Sequence, residues 1–136
     1  MKELNIRKKL IFLGGLLAII WGVDHLIPTK SVVNGFGNIS VDNTNIITME
    51  WITEGFALIF IGLLVIIVTI VNTSPNKITK AVYLLTFAML VAMSVLSFFT
   101  GFKVDFLPFK LCPVIFLTSG TLILQGALIH SVINSN

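Results

Sequence analysis

Long apolar runs separated by short polar segments dominate the pattern of residues along this chain. A transmembrane helix needs roughly 20 mostly apolar residues, because the hydrocarbon layer is about 30 Å thick and each helical residue rises about 1.5 Å. Four runs meet this requirement, at about residues 10–28, 51–71, 81–101 and 111–133. Backbone groups in lipid must be satisfied within their own segment, so the pattern predicts helices despite many β-branched residues.

The composition of the chain supports a lipid environment. Hydrophobic residues make up 56% and charged residues 11% of the 136 residues, and the mean hydropathy is +1.02. An ordinary soluble domain is about 25% charged, and a small one needs polar groups to cover its large surface. We therefore predict an all-α protein, an integral membrane four-helix transmembrane bundle that forms one domain over residues 1–136.

The distribution of basic residues predicts the orientation of the bundle through the positive-inside rule. Six of them precede the first run or lie between the second and third runs: Lys2, Arg7, Lys8, Lys9, Lys77 and Lys80. Three lie on the opposite side: Lys30, Lys103 and Lys110. Both termini are therefore expected in the cytoplasm. We expect the first run to be a retained helix, because it is long for a signal peptide and no A-x-A-like site follows it.

Motifs for soluble chemistry are absent from the sequence. The net charge is +3, and the basic residues lie at the ends of the apolar runs. They form no basic patch interleaved with aromatic residues, so nucleic-acid binding is not expected. Cys112 is the only cysteine, and it is interpreted as a small apolar filler. No catalytic, nucleotide-binding or metal motif is present, so we expect neither a cofactor nor a bound metal.

Small residues on the first helix predict a close helix contact. Gly14, Ala18 and Gly22 are spaced four apart, with Gly15 beside them. Lipid tails are as apolar as leucine, so helix association in a bilayer depends on the close approach of backbones. We expect this stripe to face a neighbouring helix.

The connection at residues 29–49 is the longest, and its turn-rich composition is compatible with a hairpin or with a loop folded over the mouth of the bundle. Glu50 and Glu54 are expected at the start of the second helix, where negative charge suits the helix dipole. Pro113 is expected in the first turn of the fourth helix, where proline is tolerated.

Ionisable residues at the outer end of the first two helices form the one candidate site. Asp24 and His25 lie in the last turns of the first helix, and Glu50 and Glu54 lie four apart on one face of the second. Antiparallel neighbours would bring these side chains to a similar depth. Two tryptophans lie at the same level, as interface anchors or as the lining of a pocket. The candidate ligand-binding residues are Trp21, Asp24, His25, Glu50, Trp51 and Glu54.

Three interpretations of this cluster remain open. The groups are solvated at the headgroup level, or His25 pairs with Glu54 or Asp24 and locks the hairpin, or they bind a proton, a cation or a small polar ligand. Ionisable residues inside a membrane span are costly and usually face the bundle interior or water. Glu54 is the deepest of the acids, so the third interpretation depends most on it.

The arrangement resembles the small four-helix bacterial membrane proteins of the DoxX-like type. The resemblance lies in size, in hydropathy, in the polar cluster Trp21-Gly22-Val23-Asp24-His25 after helix one and in the acidic start Glu50-Trp51-Ile52-Thr53-Glu54 of helix two. It implies a multi-pass protein of the bacterial plasma (inner) membrane, with accessory subunits of redox systems among its relatives. It assigns a role to no residue.

Two classes of function follow. The first is an accessory or assembly subunit, or a small-ligand binder, with the lipid bilayer and a homo-oligomeric or membrane partner subunit as its partners. The alternative is a membrane enzyme or carrier that acts on a lipophilic substrate through the Asp/His/Glu cluster. A sealed, dry pocket lined by Trp21, Trp51 and Glu54 would favour the enzyme or carrier, and a flat apolar face with the acids in water would favour the first class.

Overall fold

The computed structural model describes residues 2–72, 76–101 and 104–133. The regular elements in these ranges are all helices: α1 (Lys2–Leu26), α2 (Thr29–Asn34), α3 (Val41–Val71), α4 (Lys77–Thr100) and α5 (Leu107–Ile133). Every helix except the short α2 is long and apolar enough to cross a bilayer. The predicted all-α fold with four transmembrane helices is confirmed on that basis.

Several helices extend beyond the predicted apolar runs. α1 begins at Lys2 rather than near residue 10, and it ends at Leu26, before Pro28. α4 begins at Lys77 and α5 at Leu107, each earlier than predicted. A hydropathy window detects only the part of a helix that matches the hydrocarbon layer. Polar turns that continue a helix into the headgroup region therefore escape it.

The largest difference concerns α3, which begins at Val41, well before the predicted start near residue 51. Ser40 caps this helix, since its hydroxyl oxygen accepts a hydrogen bond from the backbone N–H of Asn43 at 3.2 Å. A serine cap satisfies one of the N–H groups that a helix start leaves without a partner. The hairpin considered for residues 29–49 is therefore wrong, because α2 and the first turns of α3 occupy this segment.

Two expectations about local helix chemistry are also wrong. Asp42 is the acidic residue in the first turn of α3, so Glu50 and Glu54 do not lie at the start of the helix. Pro113 does not open α5 and lies inside it. Proline has no N–H, so it cannot donate to the carbonyl of Phe109 one turn earlier, and this turn of α5 lacks one backbone hydrogen bond.

The four long helices lie side by side in the order α3, α1, α5, α4. α1 packs against α3 and against α5, and α4 packs against α5, whereas α3 and α4 make little contact. We call the end of the bundle that holds both termini the terminal end, and the opposite end, which holds α2, the loop end. The array is therefore open on the side where α3 and α4 face each other.

Paired glycines set the close approach of α1 and α3. A Cβ at Gly22 would lie 2.8 Å from the carbonyl oxygen of Gly55, and a Cβ at Gly15 would lie 3.0 Å from that of Gly62. The two contacts are two helical turns apart on each antiparallel helix, so the backbones approach closely over that length. The expectation that the small-residue stripe of α1 faces a neighbouring helix is confirmed for Gly22, with Gly15 beside it, whereas Gly14 of the same stripe faces α5 instead.

A second face of α1 is held against α5 by backbone approach and by hydrogen bonds. A Cβ at Gly14 would lie 2.8 Å from the carbonyl oxygen of Ser119, and the Ser119 hydroxyl donates to the Gly14 carbonyl at 2.7 Å. Nearer the terminal end, Arg7 Nε donates to the Gly126 carbonyl at 3.1 Å. α1 is thus fixed on both sides and forms the centre of the array.

A buried polar cluster closes the terminal end. Arg7 is only 3% exposed, and its guanidinium carbon lies 6.0 Å from the centre of the Tyr83 ring. The Tyr83 hydroxyl lies 2.7 Å from Thr69 Oγ1, and Thr69 donates its single hydroxyl proton to the Val65 carbonyl at 2.6 Å. Tyr83 is therefore the donor to Thr69. The cluster joins α1, α3 and α4 at the one end where α3 and α4 approach each other.

Candidate ligand-binding cleft

The divergence of α3 and α4 leaves a cleft of about 630 Å³ at the loop end. α3 contributes Glu50, Trp51, Glu54 and Ala57 to its walls, and α4 contributes Met89 and Met93. α1, α5 and the segment after α2 close the remaining sides through His25, Phe109, Cys112 and Phe36. The walls are mostly apolar, and the polar groups gather where α1 meets α3.

His25 and Trp51 form the inner corner of the cleft. Their rings stack, with centroids 3.7 Å apart and planes inclined by 16°. The indole Nε1 of Trp51 donates a hydrogen bond to the His25 backbone carbonyl at 2.7 Å. The last carbonyls of a helix have no partner within the helix, so Trp51 satisfies one of them at the end of α1. Both residues are buried, since only 4% of His25 and 6% of Trp51 is exposed.

The side chain of Glu54 faces the imidazole of His25. The distance from His25 Nε2 to Glu54 Oε2 is 3.4 Å, and the Glu54 side chain is 34% exposed. The orientation does not satisfy hydrogen-bond geometry, and Nε2 has no hydrogen-bond partner among the residues that the structure describes. The contact is an ion pair only when the imidazole is protonated. In the neutral form that carries its proton on Nδ1, Nε2 is a free acceptor beside a carboxylate.

The structure brings four of the six predicted site residues to the cleft and leaves two outside. His25, Trp51 and Glu54 form its polar corner, and Glu50 lies at its mouth, one turn of α3 away. Asp24 is exposed and does not border the cleft. Of the pairings considered for His25, the one with Glu54 is therefore present and the one with Asp24 is not.

Trp21 lies behind the cleft rather than in its wall. It packs partly buried against the hydrophobic core, and its indole Nε1 is buried without a hydrogen-bond partner among the described residues. The thiol of Cys112 lies close to this N–H, and Cys112 does line the cleft. Trp21 thus supports the floor of the site without lining it.

Sequence reasoning missed the contribution of α4 and α5. Phe109 packs edge-on against Trp51, with centroids 5.3 Å apart and planes inclined by 72°, and Met89 and Met93 form the facing wall. The position of Phe109 and Cys112 at the start of α5 places them at the same end as Trp51. No residue pattern showed that α5 packs beside α1, so their approach to His25 could not be derived.

Acidic side chains outnumber basic ones among the described residues that line the cleft. The acids are Glu50 and Glu54, the one basic group is His25, and no lysine or arginine is among these residues. Lys110, at the same end, is engaged outside the cleft by Asp105, with an Nζ–Oδ1 distance of 2.8 Å. The hydrogen bond from Lys110 lowers the pKa of Asp105 below its ordinary value, so this exposed pair persists at neutral pH and is lost on acidification.

No metal site accompanies these carboxylates in the part of the chain that is described. No three side chains of His, Cys, Asp or Glu lie close enough together there to hold a metal ion.

Comparison with known proteins gives no family for this chain. No family model matches it, and no curated protein or solved structure is significantly similar to it. The resemblance to the DoxX-like proteins stays a prediction.

Proposed function

We propose that this protein binds a lipophilic small molecule in the cleft between α3 and α4. The observation that carries the proposal is the combination of an apolar cleft of about 630 Å³ with a buried His25 that faces the half-buried Glu54 at its inner end. Ligand sites are typically concave, of about 300–1,000 Å³, mostly apolar, and contain a few convergent polar groups.

The cost of the polar corner supports a functional role. A buried polar atom without a hydrogen bond costs about 1–3 kcal/mol, and the Nε2 atom of His25 is in that state. Solvation at the headgroup level accounts for Asp24, which is exposed, but leaves the burial of His25 unexplained. A ligand that supplies a hydrogen-bond partner to Nε2 would remove this cost.

The open side of the array supports entry of the ligand from the bilayer. The cleft is neither sealed nor flat, because α3 and α4 separate towards the loop end. As part of the proposal, the termini face the cytoplasm of a bacterial cell, since six of the nine basic residues belong to the terminal side. The cleft then opens towards the outer leaflet of the inner membrane.

Extraction of the occupant from purified protein tests the proposal. Ala57→Trp fills the cleft, whereas Ala88→Trp places the same side chain on an exposed position of α4 that does not line it. The protein and both variants are purified in a mild detergent from the native host, and the organic extracts are compared by mass spectrometry. We expect one lipophilic compound that is retained by the parent and Ala88→Trp and depleted about tenfold or more in Ala57→Trp. Extracts that do not differ between the two variants would contradict the proposal.

The His25–Glu54 pair also favours a second candidate, an enzyme that transfers a proton on the bound molecule. An imidazole and a carboxylate 3.4 Å apart in an apolar cleft are groups that act as general acid and base. The same extraction distinguishes the two functions when Glu54→Gln is added. A binder loses ligand or keeps the same compound, whereas an enzyme accumulates a different compound, its unconverted substrate.

A further inference from the structure

We infer that the ligand of the cleft is a lipophilic amine, an apolar molecule whose head is a protonated nitrogen. The inference rests on the proposed binding function and specifies the chemistry of its ligand. It depends on the charges in the cleft, on the free acceptors at its inner corner and on the aromatic surfaces around them.

The charge of the described cleft wall selects against anions. Glu50 and Glu54 are one turn apart on α3, and both border the cleft. Lys110 of α5 pairs with Asp105 and does not line the cleft. In surroundings of low dielectric constant, an unscreened carboxylate strongly attracts a cation. A phosphate or carboxylate head would instead meet like charge.

The inner corner offers two acceptors side by side. Glu54 presents a carboxylate, and the Nε2 atom of a neutral His25 is an acceptor 3.4 Å from it, buried and without a partner among the described residues. Trp51 is the nearby donor, and its N–H is already bonded to the His25 carbonyl. A protonated primary or secondary amine carries at least two N–H groups and can satisfy Glu54 and His25 together.

The remaining walls suit the rest of such a molecule. Trp51 and Phe109 present aromatic surface beside Glu54, and aromatic faces attract cations. Met89 and Met93 continue the wall along α4, and methionine adapts to apolar groups of varied shape. The alkyl chain or ring system of the ligand would lie along these methionines and extend between α3 and α4 into the lipid.

A neutral alcohol is the closest competitor. Its single hydroxyl proton satisfies one acceptor and leaves the other without a partner, and it has no Coulomb attraction to the carboxylates. The comparison of head groups on one common chain therefore isolates the contribution of charge.

Quenching of Trp51 fluorescence by three chain-brominated C16 probes tests the inference. The probes are a primary amine, the alcohol and the carboxylic acid, and the protein is the full chain with Trp21→Phe in nanodiscs of zwitterionic lipid, so that Trp51 is the only tryptophan. We expect the amine to bind about tenfold or more tightly than the alcohol, and the acid to bind most weakly. Glu54→Gln should bring the amine to the affinity of the alcohol, while Asp24→Asn, which changes an exposed acid at the same end, should leave the preference intact.

The outcomes separate this inference from the function on which it rests. An alcohol that binds as tightly as the amine, with both displaced by Ala57→Phe, which narrows the cleft without adding a tryptophan, would overturn the amine preference and leave ligand binding in the cleft supported. Quenching that Ala57→Phe does not reduce for any probe would contradict both. An amine preference that survives Glu54→Gln and Glu50→Gln would also overturn the inference, because the charge would then lie elsewhere. Thermal unfolding of each variant verifies that it is folded.

Discussion

Single hydroxyl groups hold the terminal end of the bundle together. Tyr83 donates to Thr69, and Thr69 donates to the Val65 carbonyl, so each hydroxyl proton has one acceptor. This chain of hydrogen bonds is the buried link between α3 and α4, whose apolar contact is small. The stability of this end therefore depends on particular atoms more than on area.

Replacement of Tyr83 by phenylalanine should destabilise the protein by about 0.6 kcal/mol, and by no more than about 1.7 kcal/mol, as for other hydrogen bonds between transmembrane helices. The ring and its contact with Arg7 are retained, so the loss reports the hydroxyl. The free energy of unfolding is measured by sodium dodecyl sulfate titration in mixed micelles. In a double-mutant cycle with Thr69→Val, the two losses should not add. Full additivity would show that the hydroxyls do not interact.

The sequence predicted only those site residues that lie at the facing ends of two helices adjacent in the chain. His25, Glu50, Trp51 and Glu54 were identified because apolar runs make their polar atoms conspicuous, and the cleft contains all four. Trp21 and Asp24 were predicted with them but do not line the cleft. Asp24 is adjacent to His25 in the sequence and therefore faces another direction on α1, whereas Trp21 lies one turn further from the loop end, behind the cleft wall. The burial of Arg7 was missed, because a basic tail gives no sign that one of its residues packs inward.

Glycine pairs determine the spacing of whole helices. Gly22 meets Gly55, and Gly15 meets Gly62, so α1 and α3 approach backbone to backbone. A larger side chain at either contact must push the helices apart or distort them. The small residues therefore predicted that α1 packs closely against another helix. They did not predict which helix each glycine contacts.

Substitution of Gly22 by leucine should lower stability by about 1–3 kcal/mol or more, because the added side chain meets the Gly55 carbonyl and Ile59. Ala88→Leu adds bulk at an exposed position of α4 and serves as the control. Thermal unfolding in detergent measures both variants. Equal midpoints for the two would contradict the packing of α1 on α3.

The ends of the helices were harder to predict than their existence. Hydrocarbon thickness fixes the apolar part of α3, but its first turns carry polar residues and belong to the headgroup region. Ser40 followed by Asn43 is a capping signal that the sequence contained. It was overlooked because a turn-rich composition suggested a loop.

At the scale of the whole molecule, the distribution of basic residues predicts which end faces the cytoplasm. In a Cys112→Ala background, Ser31→Cys lies on α2 at the loop end and Asn76→Cys lies before α4 at the terminal end. Both positions are exposed. We expect a membrane-impermeant maleimide to label Ser31→Cys in intact cells and Asn76→Cys only after permeabilisation. The reverse pattern would invert the orientation and place the cleft in the inner leaflet.

The order α3, α1, α5, α4 also constrains how the protein is assembled. The segment that joins α3 to α4 is short, yet these two helices are not a packed hairpin, and α4 rests mainly on α5. During synthesis, α4 therefore enters the bilayer before its main partner exists. Until α5 is inserted, α4 lacks the helix on which it mainly packs, so the arrangement of these four helices forms only after α5 has entered the bilayer.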